Sequence, residues 1–203
     1  MPRQVDHEER RRHITAALLT IAGTRGLQAV TMREVAAEAG VSHRLVQYYF
    51  TDKAGLLASG LAELAARLDR RVRERAAALG EGLPPRTVLE VVLGSIVPDD
   101  DASLDDRRAW AAYFAVALTD PALLGGATNY PEALEGYLAG VVARGQESGD
   151  VAAERSPVME AATLLALTNG LTDGVVAGQR SAEEALALLA YRLDRLFSSG
   201  GCG

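Results

Sequence analysis

Apolar residues recur every three to four positions along nearly the whole chain, and no stretch of useful length alternates apolar and polar residues as a half-buried strand would. The first pattern predicts a helix from about His7 to Arg25, with Ile14, Ala17, Leu18, Ile21 and Ala22 on one face and Gly26 as its stop. Residues 1–6 read as a loose arm. A long helix is predicted from Asp52 to about Leu79, with Leu56, Leu57, Leu61, Leu64, Leu68 and Val72 marking its inner side. The run Gly80-Glu-Gly-Leu-Pro-Pro85 then breaks the chain. Further helical patterns cover Arg86–Val97, Leu104–Thr119 (ended by Asp120-Pro121), Tyr130 to about Glu147, and Pro157 to about Ala177. The last begins after Ser181, with Glu184 completing a capping box. No internal repeat is present.

The stretch between the first and the long helix is the most structured in its local signals. Thr31 and Glu34 are spaced as a capping box, and Val35, Ala36 and Ala39 give an apolar face. Gly40 allows a turn at low steric cost, and Ser42 is placed to cap a second short helix with Val46, Tyr49 and Phe50 on its apolar side. Thr51 or Asp52 caps the long helix that follows. Helix, glycine-containing turn, helix is the arrangement whose second helix enters a DNA major groove. Met1 to about Phe50 would then be a three-helix unit of DNA-reading size.

Charge changes the picture by its distribution. The 203 residues carry a formal net charge of −6, which alone argues against a nucleic-acid partner. Residues 1–55 hold eight basic and six acidic side chains, whereas the remainder holds 13 basic and 21 acidic. A mildly basic head on an acidic body fits a head that meets phosphates and a body that stays off them. Arg10, Arg11 and Arg12 read equally as phosphate contacts or as a solvated face. Hydrophobic residues make up 48% and aromatics 5%, with alanine and leucine dominant, which favours helices.

Candidate chemistry narrows the function by exclusion. The histidines, His7, His13 and His43, all lie in the head, and the single cysteine, Cys202, lies in a glycine-rich tail. No phosphate-binding glycine loop, dinucleotide fingerprint or metal-spaced His/Cys set is present, so an enzyme, a metal site and a cofactor are not expected. Asp99-Asp100-Asp101 reads as a solvated loop near a helix start. No uncharged apolar run reaches the ~18 residues of a membrane span, and the N-terminus lacks a signal-peptide pattern, so a cytoplasmic chain is expected. Trp110, Tyr113, Phe114 and Tyr137 would suit an aromatic cage around a cation or plain core. Thr163, Asn169, Thr172 and Asp173 form a polar set on an otherwise apolar helix, suited to orienting a ligand or to hydrogen bonds between helices or subunits. The last two helices are apolar around much of their girth, which predicts a homodimer in which they pack on the same pair of a second subunit.

The gap-free series T-x-x-E-V-A-x-x-A-G-V-S-x-x-x-V over Thr31–Val46, then Tyr49-Phe50, Lys53 and Leu56-Leu57, resembles the TetR family of one-component regulators. Trp110-x-x-Tyr-Phe, Asp120-Pro121 and Leu167-Thr-Asn-Gly-Leu171 are similar to its BetI-type branch. The resemblance implies an all-α fold of about nine helices. It implies a helix-turn-helix DNA-binding head over 1–53, a helical effector-binding and dimerisation body over 54–199, and a flexible tail over 200–203. It implies a homodimer on a double-stranded, palindromic operator, most simply a repressor released by a small-molecule effector. Ser42, His43, Arg44, Gln47 and Tyr48 would face the groove, Arg33 on the preceding helix could reach a base edge or a phosphate, and Lys53 would meet a phosphate. Trp110, Tyr113, Phe114, Tyr137, Thr163, Asn169 and Asp173 would line the effector pocket. Arg44 stands where the family often has a small residue, and Gln47 where it usually has tyrosine. The alternatives are an activator of the same family, or a ligand-binding or interaction protein with a degenerate head.

Overall fold

The structure, a computed structural model, describes residues 2–119 and 130–197. Among the described residues the regular structure is helical: α1 Pro2–Arg25, α2 Met32–Glu38, α3 His43–Tyr49, α4 Lys53–Leu79, α5 Pro85–Gly94, α6 Asp101–Thr119, α7 Tyr130–Glu147, α8 Pro157–Val176 and α9 Ala182–Phe197, with a single 3-10 turn at Leu27–Ala29. The expected all-α architecture of about nine helices is therefore present. The expected loose arm is instead the first turns of α1, where a proline is tolerated because the first helical N–H groups have no intrahelical partner. α6 starts three residues before the expected Leu104, at Asp101, whose carboxylate suits a helix N-terminus. The Asp120-Pro121 stop and the 200–203 tail lie outside the described residues.

The helix ends follow from local chemistry. The Ser181 hydroxyl accepts from the Glu184 N–H at 3.1 Å while the Glu184 carboxylate accepts from the Ser181 N–H at 2.7 Å, a complete capping box. At Thr31 only half of that box forms. The Thr31 hydroxyl accepts from the Glu34 N–H at 3.1 Å, but the Glu34 carboxylate turns to Arg25 at 3.0 Å. Asp52 caps α4 through the Gly55 N–H at 2.8 Å. Gly40 between α2 and α3 has φ of +64°, the left-handed region that favours glycine.

The chain forms two compact units. The first comprises α1, α2, α3, α4 as far as Arg67, and α6. Its core joins Ile14, Leu18 and Ile21 of α1, Val35 of α2, Val46 and Phe50 from the α3 segment, Leu56, Leu57, Leu61 and Leu64 of α4, and Ala109 and Tyr113 of α6. The sequence led us to expect three helices here; α6 completes the core. Tyr113 is fully buried, and its hydroxyl donates to the Leu57 carbonyl at 2.8 Å. Burial pushes that hydroxyl's pKa well above its ordinary value. Arg67 ties α4 to α6 through Asp106 at 2.7 Å and also binds Glu63 at 3.0 Å.

The second unit comprises α4 from Leu68, α5, α7, α8 and α9. Leu89, Val92 and Leu93 of α5 pack with Leu138, Val141 and Val142 of α7, Ala161, Leu164 and Leu171 of α8, and Ala185, Leu189, Leu193 and Leu196 of α9. Two arginines of α4 hold the end of α5: Arg71 donates to the Ser95 carbonyl at 2.9 Å, and Arg75 to the Gly94 carbonyl at 3.1 Å and to Asp99 at 2.6 Å. The carbonyls at a helix C-terminus lack intrahelical donors, and cationic side chains meet both that lack and the helix dipole. Glu160 of α8 receives Arg155 at 2.8 Å and also Arg192 of α9. No helix of the described residues is long and apolar enough to cross a membrane.

Candidate nucleic-acid interface

α3 is seven residues long, and its two faces have opposite characters. Val46 and the following Phe50 are buried in the first unit's core. Arg44, Gln47 and Tyr48, at spacings of three and one, are exposed, Tyr48 to 71%. That spacing puts the three on one helix face. The Ser42 hydroxyl caps the helix by accepting from the Leu45 N–H at 3.2 Å, which leaves its own proton able to donate to a phosphate. His43 is half-buried at the first helical position. Arg33 is exposed on α2, whose buried residues include Val35 and Ala36, and Lys53 is half-buried at the start of α4. Gln47 has the paired donor and acceptor that match adenine, and Arg44 the fork that matches guanine.

The supports of this surface come from α1. The imidazole of His13 donates to the Ala39 carbonyl at 2.8 Å, beside the Gly40 turn. Arg25 pairs with Glu34 at 3.0 Å and Glu38 at 3.7 Å, so neither carboxylate of α2 is left as a lone negative charge. Arg33, Arg44 and Lys53 by contrast form no ion pair with the described residues. The Arg11 guanidinium stacks over the Phe50 ring with 5.0 Å to its centroid, and His7 bonds Tyr49, one residue past the exposed Tyr48. Sequence reasoning missed these α1 contacts. They join positions 42 residues apart at His7 and 39 apart at Arg11, and helical periodicity carries no signal for such pairs.

The residues expected to line an effector pocket are spread over both units. Trp110, Tyr113 and Phe114 belong to the first unit and Tyr137 to the second. Tyr113 is a core residue with its hydroxyl engaged, so it does not offer an open wall. Trp110 packs against the same core, whereas Phe114 and Tyr137 are exposed. The polar set on α8 also divides. Thr163 is exposed and donates to the Met159 carbonyl at 2.7 Å, Asp173 is exposed, and Asn169 is half-buried. The inner face of α8 runs through Ala161, Leu164, Thr168, Leu171 and Thr172, and positions 163 and 173 fall on the other side. Thr172 is the fully buried member, and its hydroxyl has no hydrogen-bond partner among the described residues. An open groove of about 300 Å³ between α7 and α8 is lined by Glu132, Glu135, Gly136, Ala139 and Val158. Among the described residues, no group of three or more His, Cys, Asp or Glu is placed to hold a metal ion.

A family model described as "Bacterial regulatory proteins, tetR family" matches residues 14–59, and one described as "BetI-type transcriptional repressor, C-terminal" matches residues 84–198. The chain is 31% identical over 117 residues to the HTH-type transcriptional regulator PksA of Bacillus subtilis, and 30% identical over 123 residues to the HTH-type transcriptional regulator BetI of Escherichia coli O127:H6. Those stretches cover 58% and 61% of this chain, and 56% and 63% of the relatives, less than two thirds of their lengths. The crystal structure of a TetR-family transcriptional regulator from Rhodococcus sp. superposes with a TM-score of 0.86 at 28% identity, over 93% of this chain and 99% of that one. A regulator from Saccharomonospora viridis, crystallised with choline, shares the fold with a TM-score of 0.78 at 22% identity, over 92% and 96% of the two chains. With the two family models meeting its two ends, and the second alone spanning more than half of it, the chain belongs to the TetR family of bacterial regulatory proteins, with a BetI-type C-terminal region.

Proposed function

We propose that this protein is a ligand-responsive, DNA-binding transcriptional regulator. It acts as a repressor that holds a palindromic operator as a homodimer and releases it when a small molecule binds. The observation that carries the reading is the two-sided α3: Val46 and Phe50 fix it to the core, and Arg44, Gln47 and Tyr48 face solvent with groups suited to base edges. Residues 1–53 form the reading head and 54–199 the effector and dimerisation body. Arg33 and Lys53 neutralise phosphate beside the head, and Ser42 and His43 donate at the N-terminus of the reading helix. The second subunit packs on α8 and α9, whose exposed apolar side chains include Met159, Leu188 and Tyr191. Two heads related by a two-fold axis would meet half-sites about 34–36 Å apart, or a multiple of that.

The test is direct. Duplexes are selected from a random-sequence pool by the full-length protein, and binding is followed by fluorescence anisotropy between about 50 and 200 mM salt. The expected result is enrichment of an inverted repeat and a steep fall of affinity with salt. Absence of salt-sensitive binding to any duplex would defeat the reading. Release is then assayed by adding small molecules to the complex, with choline as a first probe because of the BetI relative and the choline-bound neighbour. Only a molecule that binds the free and DNA-bound forms with different affinity releases DNA.

A further inference from the structure

The N-terminal half of α1 does more than begin a helix. His7 and Arg11, one turn apart and hence on one face, reach the consecutive aromatic residues that close α3. His7 Nδ1 and the Tyr49 hydroxyl are hydrogen-bonded at 2.9 Å, with the direction set by the imidazole tautomer. The His7 ring also lies 6.3 Å from the Tyr48 ring and 5.8 Å from the Tyr49 ring, centroid to centroid, both tilted. Tyr48 and Tyr49 meet edge to face at 5.2 Å. Arg11 sits over Phe50, the next residue.

Tyr48 is the most exposed large apolar side chain of the reading helix, and nothing on α3 itself restrains its ring except Tyr49. A freely rotating ring at the end of a two-turn helix loses rotamer freedom when it docks, which weakens the docked state. The triad of rings removes part of that loss beforehand. From this geometry we infer that His7 is a positioning residue for sequence readout. It holds Tyr49, and through Tyr49 the ring of Tyr48, in the orientation presented to DNA, and so raises discrimination between the operator and other sequences. The inference rests on the DNA-reading role proposed above.

The experiment uses the full chain and two probes: a duplex selected by the wild-type protein from a random pool, and a scrambled duplex of the same length and composition. The variants are His7→Ala, His7→Asn (which keeps an acceptor near the position of Nδ1), Tyr49→Phe and the double variant His7→Ala/Tyr49→Phe. Loss of one solvent-accessible hydrogen bond and its ring contacts corresponds to roughly 3- to 10-fold in affinity. His7→Ala is expected to weaken the selected duplex by that factor, leave the scrambled duplex within about twofold, and keep the slope of affinity against salt unchanged. His7→Asn is expected to recover much of the loss, and the double variant to be no worse than the worse single variant. Equal weakening on both duplexes with a shallower salt slope would make His7 a phosphate contact and overturn the inference. Additive effects of the two single variants, or no effect of His7→Ala, would also overturn it. If the wild-type chain enriches no sequence, the DNA-reading role fails first and this inference with it; enrichment followed by an inert His7→Ala overturns the inference alone.

Discussion

Gly60 of α4 lies under the side chain of Tyr113 of α6, so close that a methyl group on Gly60 would fall 2.6 Å from Leu18 Cδ2 and closer still to the Tyr113 hydroxyl. The absence of a side chain at position 60 is what lets that hydroxyl reach the Leu57 carbonyl one turn earlier. Gly60→Ala is therefore expected to destabilise the protein by about 1–3 kcal/mol through overpacking. Tyr113→Phe keeps the ring and loses one buried hydrogen bond, a smaller cost of about 0.5–1.5 kcal/mol. In Gly60→Ala/Tyr113→Phe the methyl group gains room, so the combined loss is expected to be less than the sum of the single losses. Urea denaturation of the four proteins measures the coupling.

Glu160 gives a pH dependence with a definite sign. Burial of its carboxyl would raise its pKa, but the hydrogen bond from Arg155 and the charge and hydrogen bond of Arg192 outweigh this and hold it below the ordinary value. A carboxyl depressed in the folded state stabilises fully above its unfolded pKa of about 4.3, and the contribution is lost as pH falls through the folded value. Glu160→Gln is expected to cost roughly 1–3 kcal/mol at neutral pH. It should also flatten the acid limb of the stability curve below about pH 4.3. Denaturation midpoints measured from pH 7 downward check both effects.

Arg44 and Lys53 are expected to fail in different ways. Arg44→Ala should relax discrimination at one base position, weakening the selected duplex by about 1–3 kcal/mol while random DNA is little affected. Lys53→Ala should weaken all duplexes alike and reduce the salt slope by about one. Equal loss on selected and random DNA in Arg44→Ala would move Arg44 to the phosphate class.

The outer side of α9 carries Leu188 and Tyr191, exposed to 43% and 56%. Tyr191 is covered on one side by the Arg195 guanidinium, 4.8 Å from the ring centroid. Leu188→Glu/Tyr191→Glu adds charge without touching the buried Leu189 and Leu193. It should therefore yield folded monomers in sedimentation experiments, with operator affinity reduced at least as much as loss of one head implies. A dimer undisturbed by this change would place the subunit contact elsewhere.

Much of the first unit was legible because its signals are local. Thr31, Ser42 and Gly40 each act within four residues, so the bounds of α2 and α3 followed from the sequence, and Val46 and Phe50 followed from helical spacing. The arrival of α6 in that core was not legible. Ala109 and Tyr113 have the same spacing whether they cover the first unit or the second, and the contacts that distinguish the two, such as the close approach of Tyr113 to Gly60, are invisible as spacing. The facing of the polar residues of α8 was not legible for a related reason. A helix apolar around most of its girth has no clear phase, so Thr163 and Asp173 could not be separated from Thr172 before the neighbours were known. The partial box at Thr31 shows the limit of local signals, since Glu34 chose a cation nine residues away over the cap it was spaced for.

The brevity of α3 sets a thermal limit on function. Seven residues make two turns, and helices below ~12–15 residues are marginal in water. The reading surface thus has no stability of its own and persists only while Val46 and Phe50 stay seated. Sub-global opening of the first unit would erase sequence readout at temperatures where the rest of the chain is still folded. Amide exchange at Val46 to Tyr49 would then report the working temperature range of the regulator more faithfully than its melting point.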